Sequence, residues 1–206
     1  RDWMVKLFEK YYGRKPTKIL DVGSGAGHFV EACRRAGIHA EGIELSEASR
    51  KFSREIWGIE LDGNDYTQVY ENYLGYDVVT FWGLLEHTPN PKELLEVTKK
   101  IFDAGDSGMV IAKLPRWDSV SAFIQNIKTD SIVRHLDPMG HISCYTDESA
   151  AELYFRSDFY PIAAWYYGMD VYELLMQLGH QVEAYDVLTH TSEMQMLLQQ
   201  RLDEAK

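Results

Sequence analysis

Apolar positions recur along this chain in two alternating registers. Short runs rich in β-branched and aliphatic residues, at 18–22, 39–43, 59–61, 76–82 and 108–114, read as strands. Between them, apolar residues spaced three and four apart read as helices. Residues 3–12 form the first helix, with Met4, Leu7, Phe8 and Tyr11 on one face. Residues 28–36 form the second, closed by Gly37. Ser46 caps a third over 47–57. Pro91 opens a fourth over 91–102, where a missing N–H costs nothing. The run at 76–82 is apolar or aromatic at nearly every position, as a strand covered on both faces requires. A helix is expected within 119–133 and a capped one over 146–156, with the loop 134–145 between them left unassigned. Beyond 159 the pattern supports a strand at 162–166, a helix at 170–178, a strand at 182–187 and a polar helical tail from 191.

Strands that alternate with helices of this length specify an α/β fold: a Rossmann-like, doubly wound, mostly parallel sheet with helices on both faces. At 206 residues the chain suits one large domain, taken as 1–190 with a C-terminal helical tail at 191–206. Segments 116–145 and 159–180 interrupt the alternation and are candidate substrate-cap elements. The chain opens at Arg1 inside a helical pattern, so a longer parent protein is the expectation.

Composition changes this picture in three places. A net charge of −11 argues against broad nucleic-acid binding, which depends on Lys and Arg neutralising phosphates. No apolar run reaches the roughly 20 residues that a membrane-spanning helix needs, and the charged start has no signal-peptide pattern. A cytoplasmic location, with no membrane partner, is therefore expected. Cys33 and Cys144 are the only cysteines, without CxxC or a histidine cluster at ligand spacing, so neither a metal site nor a disulfide is expected.

The chemistry gathers at the ends of the expected strands. Ile19-Leu20-Asp21-Val22-Gly23-Ser24-Gly25-Ala26-Gly27-His28-Phe29 runs from a strand through three glycines into a helix. Glycine admits positive φ and close ligand approach there, and the helix start offers free N–H groups. Dinucleotide sites favour G-x-G-x-x-G, whereas this loop reads G-x-G-x-G with an acid just before it. Glu44, 23 residues after Asp21, closes the next strand with Leu45 beside it, where a carboxylate accepts ribose hydroxyls or is simply solvated. Gly63-Asn64-Asp65-Tyr66 follows the third strand and is either an acidic ligand loop or an ordinary Asx turn. Asp62 and Asp65 are both ligand candidates there, and an aromatic follows Asp65.

Together these segments resemble class I S-adenosylmethionine-dependent methyltransferases, over roughly residues 18–159. The segment Tyr76-Asp77-Val78-Val79-Thr80-Phe81-Trp82-Gly83-Leu84-Leu85-Glu86-His87-Thr88-Pro89-Asn90-Pro91 resembles the D-V…L-E-H-x-P-x-P stretch of the small-molecule enzymes. The resemblance implies S-adenosyl-L-methionine as cofactor, held by Asp21, Gly23, Gly25, Gly27, Glu44, Leu45, Asp65, Tyr66, Trp82 and Glu86. It implies methyl transfer to a small acceptor, with O-methylation of a sugar, sugar conjugate or other metabolite first in order. His87 is a candidate general base, since an imidazole titrates near neutral pH, or else it orients its loop. His141, in Gly140-His141-Ile142-Ser143-Cys144-Tyr145-Thr146, is a second candidate or a structural donor, and Arg134 and His135 lie on the same loop. Two departures stand out: Ser157-Asp158-Phe159 replaces the usual Gly-Phe before the sixth strand, and Trp165-Tyr166-Tyr167 is unusual. A nicotinamide-dependent oxidoreductase and a non-catalytic cofactor-binding scaffold remain the alternatives.

Overall fold

The computed structural model describes residues 1–105, 108–119, 122, 140–168 and 200. The chain divides into two compact units, Arg1–Pro115 with Ser149–Tyr160, and Arg116–Glu148 with Pro161–Lys206.

The first unit is built on four parallel strands: β1 (Lys18–Val22), β2 (His39–Ile43), β3 (Val78–Trp82) and β4 (Met109–Lys113), in the order β2-β1-β3-β4. Among the described residues there are six α-helices: α1 (Asp2–Tyr12), α2 (His28–Arg35), α3 (Glu47–Trp57), α4 (Tyr66–Val69), α5 (Pro91–Asp103) and α6 (Asp147–Phe155), the last beginning in the second unit and continuing in the first. Tight 3-10 turns occupy Tyr70–Tyr73 and Leu85–His87. The period of two sends alternate residues of each strand to opposite faces. Ile19, Val78, Ala40 and Met109 meet Met4 and Phe8 of α1 and Val30 and Cys33 of α2. Leu20, Val22, Val79 and Phe81 meet Leu95, Ile101 and Phe102 of α5, with Leu153, Tyr154 and Phe159 packed alongside. Each face thus has its own apolar layer, which a parallel sheet requires.

Asp77 fixes the amino-terminal end of this sheet. Its buried carboxylate accepts bonds from Arg14 at 3.1 and 2.5 Å, from the Thr17 main chain at 2.6 Å and from the Thr17 hydroxyl at 2.8 Å. It therefore ties the entry of β3 to the entry of β1 and satisfies main-chain donors that burial would otherwise leave unmade.

Most expected elements are present within a residue or two, but two differ. The strand at 59–61 is reduced to one bridge, Ile43 with Asp62. Ile59 and Leu61 are buried as expected, yet they pack on the layer beneath α2 and leave the main-chain pairing to Asp62. Residues 162–166 form no strand. Ile162, Trp165 and Tyr166 are exposed there, and aromatic content makes a strand only where a partner edge is available. The helix expected at 170–178, the strand at 182–187, the tail from 191 except residue 200, nearly all of 119–133, and Arg134 and His135 lie outside the described residues.

In the second unit, Arg116 pairs with Tyr145 through a parallel bridge, and the Trp117 N–H donates to the Tyr145 carbonyl at 2.8 Å. The Arg116 guanidinium holds Asp118 at 2.9 Å and Asp147 at 3.1 Å and lies 4.5 Å over the Tyr166 ring. The Tyr166 hydroxyl donates to Asp147 at 3.0 Å. Among the described residues, no helix is long and apolar enough to cross a membrane.

Candidate active site

The strand order puts β2 on one side of β1 and β3 on the other, so the chain reverses its winding at the carboxyl end of β1. In open α/β sheets that reversal opens a crevice for ligands. The glycine loop leaves β1 there, Glu44 follows β2, and Trp82 ends β3.

Gly23, Gly25 and Gly27 all adopt positive φ, at 74°, 54° and 77°. At two of them the reason for glycine can be separated. A Cβ on Gly25 would meet nothing within 4 Å, so the loop is open on that side, as a cradle for a ligand must be. A Cβ on Gly27 would stand 2.6 Å from the Ser53 hydroxyl, so this glycine serves the close packing of α2 against α3.

Glu44 closes the loop electrostatically and by bonding. Its Oε2 accepts the Gly25 N–H at 2.7 Å, and its Oε1 accepts the Ser46 N–H at 2.7 Å. A carboxylate offers about four lone-pair positions, which leaves acceptors for ligand hydroxyls. Leu45 beside it is exposed. Asp21 lies buried in β1, and the Thr80 hydroxyl of β3 donates to its Oδ1 at 2.6 Å. Burial pushes its carboxyl up to about 7, opposed by the Thr80 bond and reinforced by the Glu44 charge.

The two aspartates of the acidic loop differ in their bonds. Asp62 is occupied: Oδ1 accepts from the Asn64 main chain and amide, and Oδ2 from Tyr73 at 2.9 Å. Asp65 caps α4 through Oδ1 alone, accepting from the Thr67 N–H and hydroxyl, and its Oδ2 has no bond among the described residues. Tyr66 turns its side chain inward from that loop. Its ring is buried and its hydroxyl pairs with Thr98 at 2.8 Å, because the first turn of α4 faces α5; only its main chain is available to a ligand.

Trp82 is partly exposed and meets Phe29, with ring centres 5.2 Å apart, edge to face. Glu86 is buried within the turn Leu85–His87, and His87 is exposed, its N–H donating to the Leu84 carbonyl at 2.9 Å. His141 belongs to the second unit.

Sequence reasoning passed over Thr80, Tyr73 and Arg50. Thr80 had a visible signal, as a polar residue inside an apolar strand and opposite Asp21 in register.

The donor set suits a cation-bearing nucleoside. Two mutually repelling acids flank the glycine loop, so a positive charge placed between them would be favoured, whereas a pyrophosphate would meet like charge. A carboxylate at the end of β2 and a second one with an uncommitted oxygen at Asp65 match ribose hydroxyls and an exocyclic amine.

A methyltransferase domain model matches residues 1–164. The ubiquinone biosynthesis O-methyltransferase of Bordetella avium is 32% identical over 111 residues, covering 50% of this chain and 44% of that protein. That of Bordetella parapertussis is 33% identical over 119 residues, covering 54% and 45%. The chain thus matches less than half the length of these relatives. Among solved structures, a SAM dependent methyltransferase from Archaeoglobus fulgidus superposes with a TM-score of 0.59 at 19% identity, covering 81% of this chain and 72% of that one. The plantazolicin methyltransferase BamL, solved with SAH, gives 0.57 at 13%, covering 75% and 58%. At these identities the two structures speak for the fold alone.

Proposed function

The chain belongs to the class I S-adenosylmethionine-dependent methyltransferases, and on that premise we propose that it methylates an oxygen of a small-molecule acceptor. The observation that carries the reading is the pairing of Asp21 and Glu44 across an open glycine loop at the switch point of the sheet. S-adenosylmethionine supplies a methyl group already activated on a positively charged sulfur. What the protein must do is hold and orient two molecules and manage one proton.

In this reading Asp21 faces the cationic methionine end, Glu44 receives the ribose hydroxyls, and Asp65 takes the adenine amine through its remaining oxygen. Gly25 leaves room for the nucleoside, while Leu45 and Trp82 offer apolar surface. His87 accepts the proton of the acceptor hydroxyl, with His141 as the second candidate. An oxygen acceptor is supported by the relatives, whose names make them O-methyltransferases. Sugars and sugar conjugates stand first among acceptors, with phenols as the other arm. Segments 116–145 and 159–180 remain, on the sequence, the proposed substrate-cap elements.

A radiolabelled methyl-transfer assay over sugars, glycosides and phenols tests this, and label should appear in a hydroxyl-bearing product. A general base contributes about 10²–10⁴-fold. His87→Ala is therefore expected to lower kcat by about that factor while leaving S-adenosylhomocysteine affinity within twofold. If His87→Ala and His141→Ala both turned over at the wild-type rate, positioning alone would account for the reaction.

A further inference from the structure

One cation is built into the adenosine side of this site. Arg50, in the first turns of α3, donates through Nη1 to the carbonyls of both Glu44 and Leu45, at 2.8 and 2.7 Å. These carbonyls belong to the turn that carries the ribose-facing carboxylate. The same guanidinium lies across Gly63. A Cβ there would stand 2.9 Å from its Cζ, 3.0 Å from Nε and 3.2 Å from Nη1. Gly63 is the residue between Asp62, which pairs with the end of β2, and the Asn64-Asp65 loop. One planar side chain therefore touches both segments that the proposed function assigns to ribose and adenine.

From this geometry, and resting on that cofactor reading, we propose that Arg50 is a positioning residue that sets the spacing between Glu44 and the Asp65 loop, with Gly63 as its required seat. Arginine suits the task better than lysine, because the two N–H bonds of its fixed Nη1 reach both carbonyls while the flat guanidinium face packs on a main chain that has no Cβ. The Tyr73 hydroxyl also donates to Asp62 at 2.9 Å, so the Asp62–Asp65 turn is held by Tyr73 as well as by Arg50. Arg50 touches no reacting atom in this account, and its influence is on cofactor affinity.

The test is calorimetric titration with S-adenosylhomocysteine and with 5′-methylthioadenosine, which lacks the amino-acid end. The unaltered chain, Arg50→Ala, Arg50→Lys, Gly63→Ala and the double variants are compared. Arg50→Ala is expected to weaken both ligands by the same factor of about ten, as loss of a charge-assisted bonding pair would. The KM for S-adenosylmethionine should rise likewise, with kcat at saturation unchanged, and Arg50→Lys should recover part of the loss. Gly63→Ala should weaken binding several-fold in the unaltered chain and not at all once Arg50 is replaced, because the clash has gone. Where Arg50→Ala does not fold, Arg50→Lys with and without Gly63→Ala makes the same comparison. Equal affinity of Arg50→Ala and the unaltered chain, or additive losses in the double variant, would overturn the positioning role and leave the cofactor assignment standing. Failure of the folded, unaltered chain to bind either ligand would overturn both.

Discussion

Asp21 is the residue on which local chemistry can be checked most sharply. Its carboxyl is raised from 3.8 to about 7, chiefly by burial. An acid whose folded value is raised favours the fold most at pH below its unfolded value, and that contribution is lost as pH climbs through the folded value. The ligand-free chain should therefore melt at lower temperature at pH 8 than at pH 5, with Asp21 contributing a few kcal/mol of the change. A cationic ligand prefers the ionised form, so cofactor binding releases a proton. S-adenosylhomocysteine, which keeps the ammonium, should bind more tightly as pH rises from 6 to about 7.5 and level off above. Asp21→Asn should flatten both profiles, and a calorimetric pH series measures them. An unchanged slope in Asp21→Asn would assign the titration elsewhere. At this scale the sequence was informative where spacing carried the signal, as for Asp21, Gly25 and Glu44. It was silent where a partner comes from another element: Tyr66 turned to Thr98, and Arg50 crossed to Gly63, because neither contact leaves a periodic trace.

At the scale of elements, local chemistry and tertiary demand agree for β1, β2 and α3, whose bounds follow from strand alternation, the Ser46 cap and the left-handed Gly58 that ends the helix. They disagree at 59–61 and 162–166, where apolar content alone suggested strands. A strand is completed by its neighbour's edge, and that information is not local. Asp77 is the complementary case. It was legible only as part of a motif, yet the structure shows a buried carboxylate that binds Arg14 and Thr17 and joins the entries of two strands. Asp77→Ala removes the acceptor while the main-chain donor of Thr17 stays in place, which should cost about 3 kcal/mol. Urea unfolding should show that loss, while the affinity for S-adenosylhomocysteine at low temperature stays close to wild type because the carboxylate lies at the far end of the strands. A loss under 1 kcal/mol would mean that water replaces the carboxylate without penalty.

For the whole molecule, the described architecture divides the work. The first unit contains the sheet, both apolar layers and every candidate cofactor residue, while His141 and the Arg116–Asp147–Tyr166 cluster belong to the second. The parallel, doubly wound sheet was legible in the sequence because it repeats one local pattern, whereas the strand order that makes the switch point came from the structure. In the second unit, 162–166 was not legible, since residues 161–168 carry no period that distinguishes a strand from an exposed loop. The central claim, that the switch point receives S-adenosylmethionine, is tested most directly by calorimetric titration of the folded chain with S-adenosylhomocysteine, with NAD titrated in parallel. The account predicts micromolar, one-to-one binding of the former and no heat from the latter. Binding of NAD, or no binding of S-adenosylhomocysteine by a chain shown to be folded, would contradict it.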